Sequence, residues 1–296
     1  MTVADQNSNL ADLHGLWDYN DPAGTESKFR AGLATAEASD DRGHHAELLT
    51  QVARAQGLQR QFDEAHRTLD EAEEMIDRDM HRARVRLSLE RGRVFNSSGS
   101  ADKAKPLFVE AWELASGEGI DGLAVDAAHM MAVIESGDET LMWNQRALDL
   151  ANSSADPDAQ RWTGSLCNNI GWSHHSNEDY DKALTYFEQA LQHRQAQGKA
   201  DDIRIARWCC ARCLRSLNRV EEALAVQREL AQEIADIEDP DGYIYEELAE
   251  CLHALGRTDE ARAHFLRAHE LLSKDAWFVE GEATRLARLA MLGGVD

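Results

Sequence analysis

Proline, lysine and long apolar runs are all scarce in this sequence. It has 4 prolines in 296 residues and no Gly/Ser-rich or Pro-rich linker, so one continuous domain over residues 1–296 is expected. No window approaches roughly 18 consecutive apolar residues, which excludes a membrane-spanning helix. The first segment, MTVADQNSNLADLHG, lacks the basic and apolar regions of a secretory signal, so a cytoplasmic location is expected.

Positive charge is also in short supply. The formal net charge is −23, with 31 Lys and Arg residues against 54 Asp and Glu. The negative electrostatic field of so acidic a chain repels phosphate backbones and anionic lipids. Neither nucleic acid nor a membrane is therefore an expected partner. Only 6 of the cations are lysine. Adaptation to high salt and a GC-rich genome would both produce this bias, and the two explanations stay open.

The five cysteines match neither a disulfide framework nor a metal site. Their number is odd and they fall on predicted helices, which argues against disulfides. Cys209, Cys210 and Cys213 share one helix, where adjacent side chains point about 100° apart and do not readily close a tetrahedron. Buried thiols are therefore expected, without a metal or cofactor. Because no P-loop, nucleophile-elbow or zinc-protease motif occurs, the chain is not expected to be an enzyme.

A repeated pattern runs through the chain. In its clearest copy, NNIGWSHHSNEDYDKALTYFEQAL at residues 168–191, Ala183 is followed by an apolar residue four positions on and a small residue seven positions on. The first position of this triplet recurs at Ala65, Ala104, Thr140, Ala223 and Ala261, and the copies at Thr140 and Ala223 are weaker. Successive copies are separated by gaps of 39, 36, 43, 40 and 38 residues.

Five of the copies also carry a small residue twelve positions before the triplet: Ala53, Gly92, Gly171, Ala211 and Ala249. Two antiparallel helices cross with their axes ~8–10 Å apart, and only small side chains fit at the contact. Apolar residues at helical spacing around that contact form the stripe that each pair must bury. One pair cannot bury its stripe alone, so neighbouring pairs are expected to stack.

This pattern resembles the tetratricopeptide repeat, whose signature is W-x2-L-G-x2-Y, then A-x3-F, then a small residue. NNIGWSHH…YDKALTYFEQAL and YEELAECLHALGRTDEARAHFLRA are close matches, and the resemblance covers roughly residues 23–275. It implies an all-α, right-handed superhelical solenoid without β-sheet. We expect a half repeat at about 23–38, six helix pairs at about 41–275 and a capping helix at 276–292. The sequence departs from the family in its period, near 39 rather than 34 residues, and in most Trp and Tyr signature positions.

In tetratricopeptide solenoids the first helix of each pair lines a concave groove, and the resemblance places a partner site there. The partner-binding residues expected on the groove face of repeats two, four and five are Arg93, Asn96, Asn168, Asn169, Trp172, His175, Trp208, Arg212 and Arg215. The amides would bond an extended backbone, the tryptophans would anchor apolar side chains and the arginines would hold a carboxylate. Because residues 203–219 carry five arginines and no acidic residue, a partly basic groove is expected.

Other interpretations of these residues stay open. The arginines could pair with acidic residues of neighbouring second helices, and the tryptophans could fill the core between repeats. The expected function is a non-catalytic scaffold or adaptor whose partner is a protein or an extended peptide, with acidic groups on that partner. The alternatives are self-assembly through the ends or the groove, which would make a homo-oligomer, and a sensing module of a regulatory system.

Overall fold

The computed structural model describes residue 13 and residues 15–38, 41–237 and 240–295. These residues are mostly α-helical and none of them lies in a β-strand, which confirms the predicted all-α class. The chain divides into two compact units, Met1–Thr163 and Gly164–Asp296, and the single domain expected over residues 1–296 stays a prediction. Most of the segment inspected for a secretory signal lies outside the described residues.

The described part of the N-terminal unit has a lone helix followed by three helix pairs. The lone helix, α1, spans Pro22–Ala38. The pairs are α2 (Arg42–Leu58) with α3 (Phe62–Met75), α4 (His81–Ser97) with α5 (Ala101–Gly117), and α6 (Asp121–Ile134) with α7 (Asp138–Ser153). A one-turn helix, α8 (Pro157–Gln160), comes next. The first helices also meet one another, because α4 packs against both α2 and α6.

The described part of the C-terminal unit also contains three helix pairs. They are α9 (Thr163–Ser176) with α10 (Tyr180–Gln197), α11 (Ala200–Ser216) with α12 (Val220–Glu233), and α13 (Gly242–Ala254) with α14 (Thr258–Leu272). The segment 276–292, expected to be one capping helix, is instead two helices, α15 (Ala276–Gly281) and α16 (Ala283–Gly293). Gly281 weakens the helix there, and Glu282 has left helical geometry at φ −121° and ψ 31°.

The repeated triplet faces inward on the second helix of most pairs. Its first positions are at most 1% exposed in five pairs: Ala65, Ala104, Ala183, Ala223 and Ala261. A Cβ added to Gly171 would lie 2.7 Å from ring atoms of Phe187, four positions after Ala183, and one added to Gly92 would meet the ring of Phe108. The small residue twelve positions earlier is thus required by the aromatic ring that packs onto it. Thr140, the first position of the weakest copy, is only half-buried.

A recurrent turn joins the two helices of five pairs. One residue of the turn takes a left-handed conformation: Arg60, Gly99, Glu178, Asn218 or Gly256. In the α11–α12 turn the Asn218 N–H donates to the Arg215 carbonyl at 3.0 Å and the Arg219 N–H donates to the Leu214 carbonyl at 2.9 Å. These bonds satisfy carbonyls that the end of a helix leaves free. The last turn of α11 is thereby held in place, and it carries Arg215.

Candidate functional site

Three first helices of the C-terminal unit present a row of aromatic rings. The ring centroids of Trp172 on α9 and Trp208 on α11 are 6.1 Å apart, and those of Trp208 and Tyr243 on α13 are 6.2 Å apart. Trp208 Nε1 donates to the Tyr243 carbonyl at 3.1 Å. Trp172 also lies edge-on to the core ring of Phe187, at 5.0 Å. Both tryptophans are half-buried, so each contributes to the core while part of its ring stays accessible.

The arginines beside this row bind a glutamate of α13. Arg215 donates Nε and Nη2 to the two carboxylate oxygens of Glu247, each at 2.8 Å. Arg212 Nε lies 2.9 Å from Glu247 Oε1, and its Nη1 donates to Ser216 Oγ at 2.7 Å. Glu247 is 3% exposed. The arginines therefore pair with carboxylates, as one interpretation of the sequence held, but the partner is on the first helix of the next pair.

Two further glutamates of α13 are bound by the C-terminal helix α16. Glu246 accepts two hydrogen bonds of 2.6 Å from Arg285, and Glu250 is paired with Arg288. A cavity of about 270 Å³ lies among these groups, lined by Trp172, Trp208, Arg212, Arg215, Glu246, Glu247, Glu250 and Arg285. Three arginines face three glutamates in this lining. The site is therefore charge-balanced, whereas the sequence of residues 203–219 alone suggested a basic one.

Burial and ion pairing act in opposite directions on the charged groups of this site. Although burial opposes the charged form, the two hydrogen bonds that Arg215 donates to Glu247 raise the pKa of Arg215. Burial raises the pKa of Glu246, and its bonds to Arg285 counter that effect. The C-terminal unit thus holds pre-positioned donors and acceptors beside an apolar wall.

His175 stands at the edge of the site and is neutral at neutral pH. Its Nε2 lies 3.0 Å from Ser216 Oγ, and its ring lies edge-on to Trp172 at 5.1 Å. Burial, followed by the positive charges of Arg212 and Arg215, lowers the pKa of His175 to about 4. The imidazole therefore bonds to the same hydroxyl that Arg212 holds, and it adds no charge.

The structure gathers some of the expected partner-binding residues and leaves others beside the cavity. Trp172, Trp208, Arg212 and Arg215 line it together. Asn168, Asn169 and His175 lie half-buried on α9, outside the lining. The glutamates of α13 and Arg285 were not among the expected site residues. Spacing along α13 puts Glu246 and Glu250 on one face. Only the packing of separate helices shows that these two glutamates meet arginines of α16, whereas Glu247 meets those of α11.

The two expected residues of the N-terminal unit are held by their own chain. Arg93 donates to Glu90 at 2.6 Å and is also paired with Asp126. Burial opposes its charge, but these two carboxylates raise the pKa of Arg93. Asn96 is half-buried in the last turn of α4, where its carbonyl accepts the Gly99 N–H at 3.0 Å. A role of either residue in partner binding stays a prediction.

The cysteines are buried or half-buried thiols. All five are free. Burial raises the pKa of Cys209 and Cys210 to about 12, so both are protonated at neutral pH and are poor metal ligands. In the described ranges no group of three His, Cys, Asp or Glu side chains is placed to hold a metal ion. No helix within those ranges combines the length and apolar character needed to cross a bilayer.

Comparison with known proteins identifies the repeat. Residues 164–195, which form most of α9 and α10, match the family model described as Tetratricopeptide repeat. The chain therefore contains a tetratricopeptide repeat at these residues. No curated protein matches it in sequence. The match in sequence is therefore limited to this one repeat.

Solved structures that share this fold cover most of the chain. The apo form of RapI is similar over 98% of this chain and 81% of its own, with a TM-score of 0.72 and 12% identity. A signal-transduction ATPase from Pyrococcus horikoshii with a tetratricopeptide repeat sensor is similar over 90% of this chain, with a TM-score of 0.71 and 16% identity, but over only 42% of its own length.

A third similar structure is NprR in complex with its cognate peptide NprX. The similarity covers 84% of this chain and 72% of NprR, with a TM-score of 0.51 and 16% identity. At such identities the likeness concerns the fold alone, and it confirms the predicted tetratricopeptide solenoid class.

Proposed function

We propose that this chain is a non-catalytic scaffold that binds an extended peptide, or an extended segment of a partner protein, at the site of the C-terminal unit. The observation that carries the proposal is the row of Trp172, Trp208 and Tyr243 beside arginines held in place by Glu247. Accessible aromatic rings next to fixed arginines are the composition of binding hot spots. The shared fold of NprR, whose structure contains a peptide, supports this choice.

The geometry supports a ligand that carries acidic groups. Arg212 and Arg215 are 26% and 22% exposed, and each guanidinium has N–H donors beyond those bonded to Glu247. A ligand carboxylate would use these remaining donors while Glu247 keeps both arginines in position. Asn168 and Asn169, on the neighbouring helix α9, would bond the ligand backbone because an amide offers both a donor and an acceptor.

The hydroxyl–imidazole pair at the edge of the site supports a binding role over a catalytic one. Ser216 Oγ lies 3.0 Å from His175 Nε2, a distance that nucleophilic catalysis also uses. However, a general base works best with a pKa near the operating pH, and that of His175 is about 4. Arg212 also donates a hydrogen bond of 2.7 Å to Ser216 Oγ. This bond occupies a lone pair of the hydroxyl oxygen that would otherwise attack a substrate.

The test is a selection of peptides from a displayed library of random linear sequences, followed by calorimetric titration of the enriched peptide. We expect enriched sequences that combine a carboxylate with an aromatic or aliphatic residue. Arg212→Gln should weaken binding about tenfold, equivalent to ~1.4 kcal/mol, and it leaves the Arg215–Glu247 pair intact. Arg219→Gln is the matched control, because Arg219 pairs with Glu222 outside the cavity. Equal affinity for wild type and Arg212→Gln would contradict the proposal.

Self-association is a second candidate function, favoured by the C-terminal helices. Trp277 on α15 is 73% exposed and Met291 on α16 is 69% exposed. Exposed large apolar side chains are common at interfaces between proteins. Light scattering should give the mass of an oligomer that falls to the monomer mass in the variant Trp277→Ser with Met291→Ser. A monomeric wild type at high concentration would exclude this candidate.

A cytoplasmic location belongs to the same proposal. All five cysteines are free thiols, and reducing compartments keep thiols in that state. Fractionation of cells that produce the protein would test the location directly.

A further inference from the structure

The N-terminal unit holds a second cavity, of about 210 Å³, which the proposed function does not use. Its basic side consists of Arg54 on α2 and of Arg82 and Arg86 on α4. Residues of α6 and of the segment around α8 form the opposite side. The cavity lies entirely within Met1–Thr163, so it is a separate site from the one described above.

Arg86 brings an unsatisfied hydrogen-bond donor to this cavity. Its side chain is 5% exposed, and its Nε donates to Glu47 Oε2 at 2.8 Å. Its Nη2 is buried and has no hydrogen-bond partner. Arg82 Nε lies 3.3 Å from the same oxygen of Glu47, so two guanidinium groups share one carboxylate. Burial, followed by the charge of Arg86, lowers the pKa of Arg82, as expected where positive charge is in local excess.

The carboxylates that line the cavity already have partners. Asp126 is paired with Arg93, and Asp158 lies 3.2 Å from Arg161. Asp156 accepts two backbone N–H groups, at 2.9 and 3.0 Å. The arginine side thus has a free donor while the acidic side is engaged.

A fixed aromatic wall stands next to the arginines. The rings of Trp17 and Tyr19 are stacked, with centroids 5.1 Å apart and an interplanar angle of 12°. Trp17 Nε1 donates to Gln51 Oε1 at 3.0 Å, and the guanidinium of Arg54 lies 5.1 Å from the Trp17 ring centroid. Tyr19 is 59% exposed. The wall therefore offers a flat apolar surface that is already positioned before a ligand arrives.

We propose that this cavity binds a small organic monocarboxylate with a flat apolar body. The carboxylate would accept the free Nη2 of Arg86 and a bond from Arg82, because the planar guanidinium fork matches carboxylate geometry. The body of the ligand would lie against Trp17 and Tyr19. Pockets for drug-sized ligands measure ~300–1,000 Å³, so a cavity of about 210 Å³ fits a smaller molecule. The carboxylates of the opposite side repel a phosphate dianion more than a monoanion, which favours the carboxylate.

Calorimetric titration of the full chain with benzoate, benzamide and inorganic phosphate tests the proposal. We expect saturable binding of benzoate, with benzamide and phosphate at least tenfold weaker. Benzamide has the same shape without the charge, and phosphate reports binding of any anion. Absence of saturable benzoate binding would overturn the proposal, as would phosphate or benzamide binding as tight as that of benzoate.

Variants of α4 decide which residues take part. Arg86→Gln and Arg82→Gln should each weaken benzoate binding at least tenfold. Arg84→Gln is the matched control, because Arg84 lies on the same helix outside the cavity lining and should bind benzoate like wild type. Arg82 is 27% exposed, so Arg82→Gln keeps the proposal testable if Arg86→Gln fails to fold. Equal affinities of wild type and Arg82→Gln would place benzoate elsewhere and overturn the assignment.

Discussion

Arg215 donates two parallel hydrogen bonds to Glu247, with Nε and Nη2 each 2.8 Å from a carboxylate oxygen. Arg212 binds the same carboxylate from one turn earlier on α11. One buried glutamate thus positions both arginines of the proposed peptide site. Removing both arginines together would leave Glu247 buried without a partner. A loss of affinity in that double variant could therefore come from a loss of stability and not from missing ligand contacts. The triple variant Arg212→Gln, Arg215→Gln and Glu247→Gln removes the glutamate together with its two partners, so no charge of this group is left buried alone.

Replacing Glu247 by glutamine should destabilise the C-terminal unit. The change leaves two adjacent guanidinium groups without their shared counter-charge. Because the arginines are partly exposed, we expect a loss of about 2–3 kcal/mol, below the range for a fully buried pair. Urea unfolding followed by circular dichroism measures it. Glu222→Gln, at the exposed partner of Arg219, should change little, and a similar loss in both variants would contradict the prediction.

Replacing Gln227 by leucine should stabilise the protein. Gln227 occupies the position that holds phenylalanine in three other repeats. It is 0% exposed, and neither polar atom of its amide has a hydrogen-bond partner. Removing an unsatisfied buried amide should raise the free energy of unfolding by ~1–2 kcal/mol. Gln51→Leu is the contrasting control. Gln51 is also buried, but it accepts the Trp17 Nε1 hydrogen bond, so its replacement should be destabilising.

Replacing Gly92 by alanine should cost stability although alanine favours helices. The added methyl group would collide with the ring of Phe108. We expect overpacking of ~1–3 kcal/mol to outweigh a helix-propensity gain of ~1 kcal/mol. Gly117→Ala on α5 is the matched control, because nothing lies within 4 Å of its added Cβ. Chemical denaturation should therefore show a lower free energy of unfolding for Gly92→Ala and a higher one for Gly117→Ala, each relative to wild type.

Stability should fall with acidification in part through His175. Its pKa is about 4 in the folded protein and about 6.5 in the unfolded chain. Between these values the unfolded state binds the proton and the folded state does not, so stability is full above about pH 6.5 and is lost as pH falls towards 4. Urea midpoints at pH 7 and pH 4.5 should differ more for wild type than for His175→Gln. Parallel pH dependence of the two proteins would contradict the assignment.

Salt should stabilise the whole chain. With a net charge of −23, self-repulsion favours the unfolded state, and salt screens it over a Debye length of ~10 Å at about 0.1 M. The melting temperature should rise from dilute buffer to molar sodium chloride. A flat or falling curve would count against adaptation of the surface to high salt.

The helix pairs were predictable because the signals that specify them are local. Ala183, Phe187 and Gly171 lie within one repeat, and the contact of the Phe187 ring with Gly171 requires only that two neighbouring helices cross. The lining of one cavity by Trp172 and Trp208 follows from the same local signals, since each lies at a fixed place in its own repeat, and their role in partner binding stays a prediction. The break at Glu282 was not anticipated, because Gly281 is tolerated within a helix when tertiary contacts compensate for it.

The amino-acid sequence by itself determined the helical class, the small residues at which paired helices cross, and the position of the arginines on a first helix. Only the tertiary structure decided what those arginines bind, because Arg215 and Glu247 are 32 residues apart in the chain and meet through the packing of α11 against α13. The same holds for the unpartnered Nη2 of Arg86. Periodicity along one helix specifies which face a residue occupies, whereas a hydrogen bond needs two groups within about 3 Å, and that distance is set by how separate helices pack.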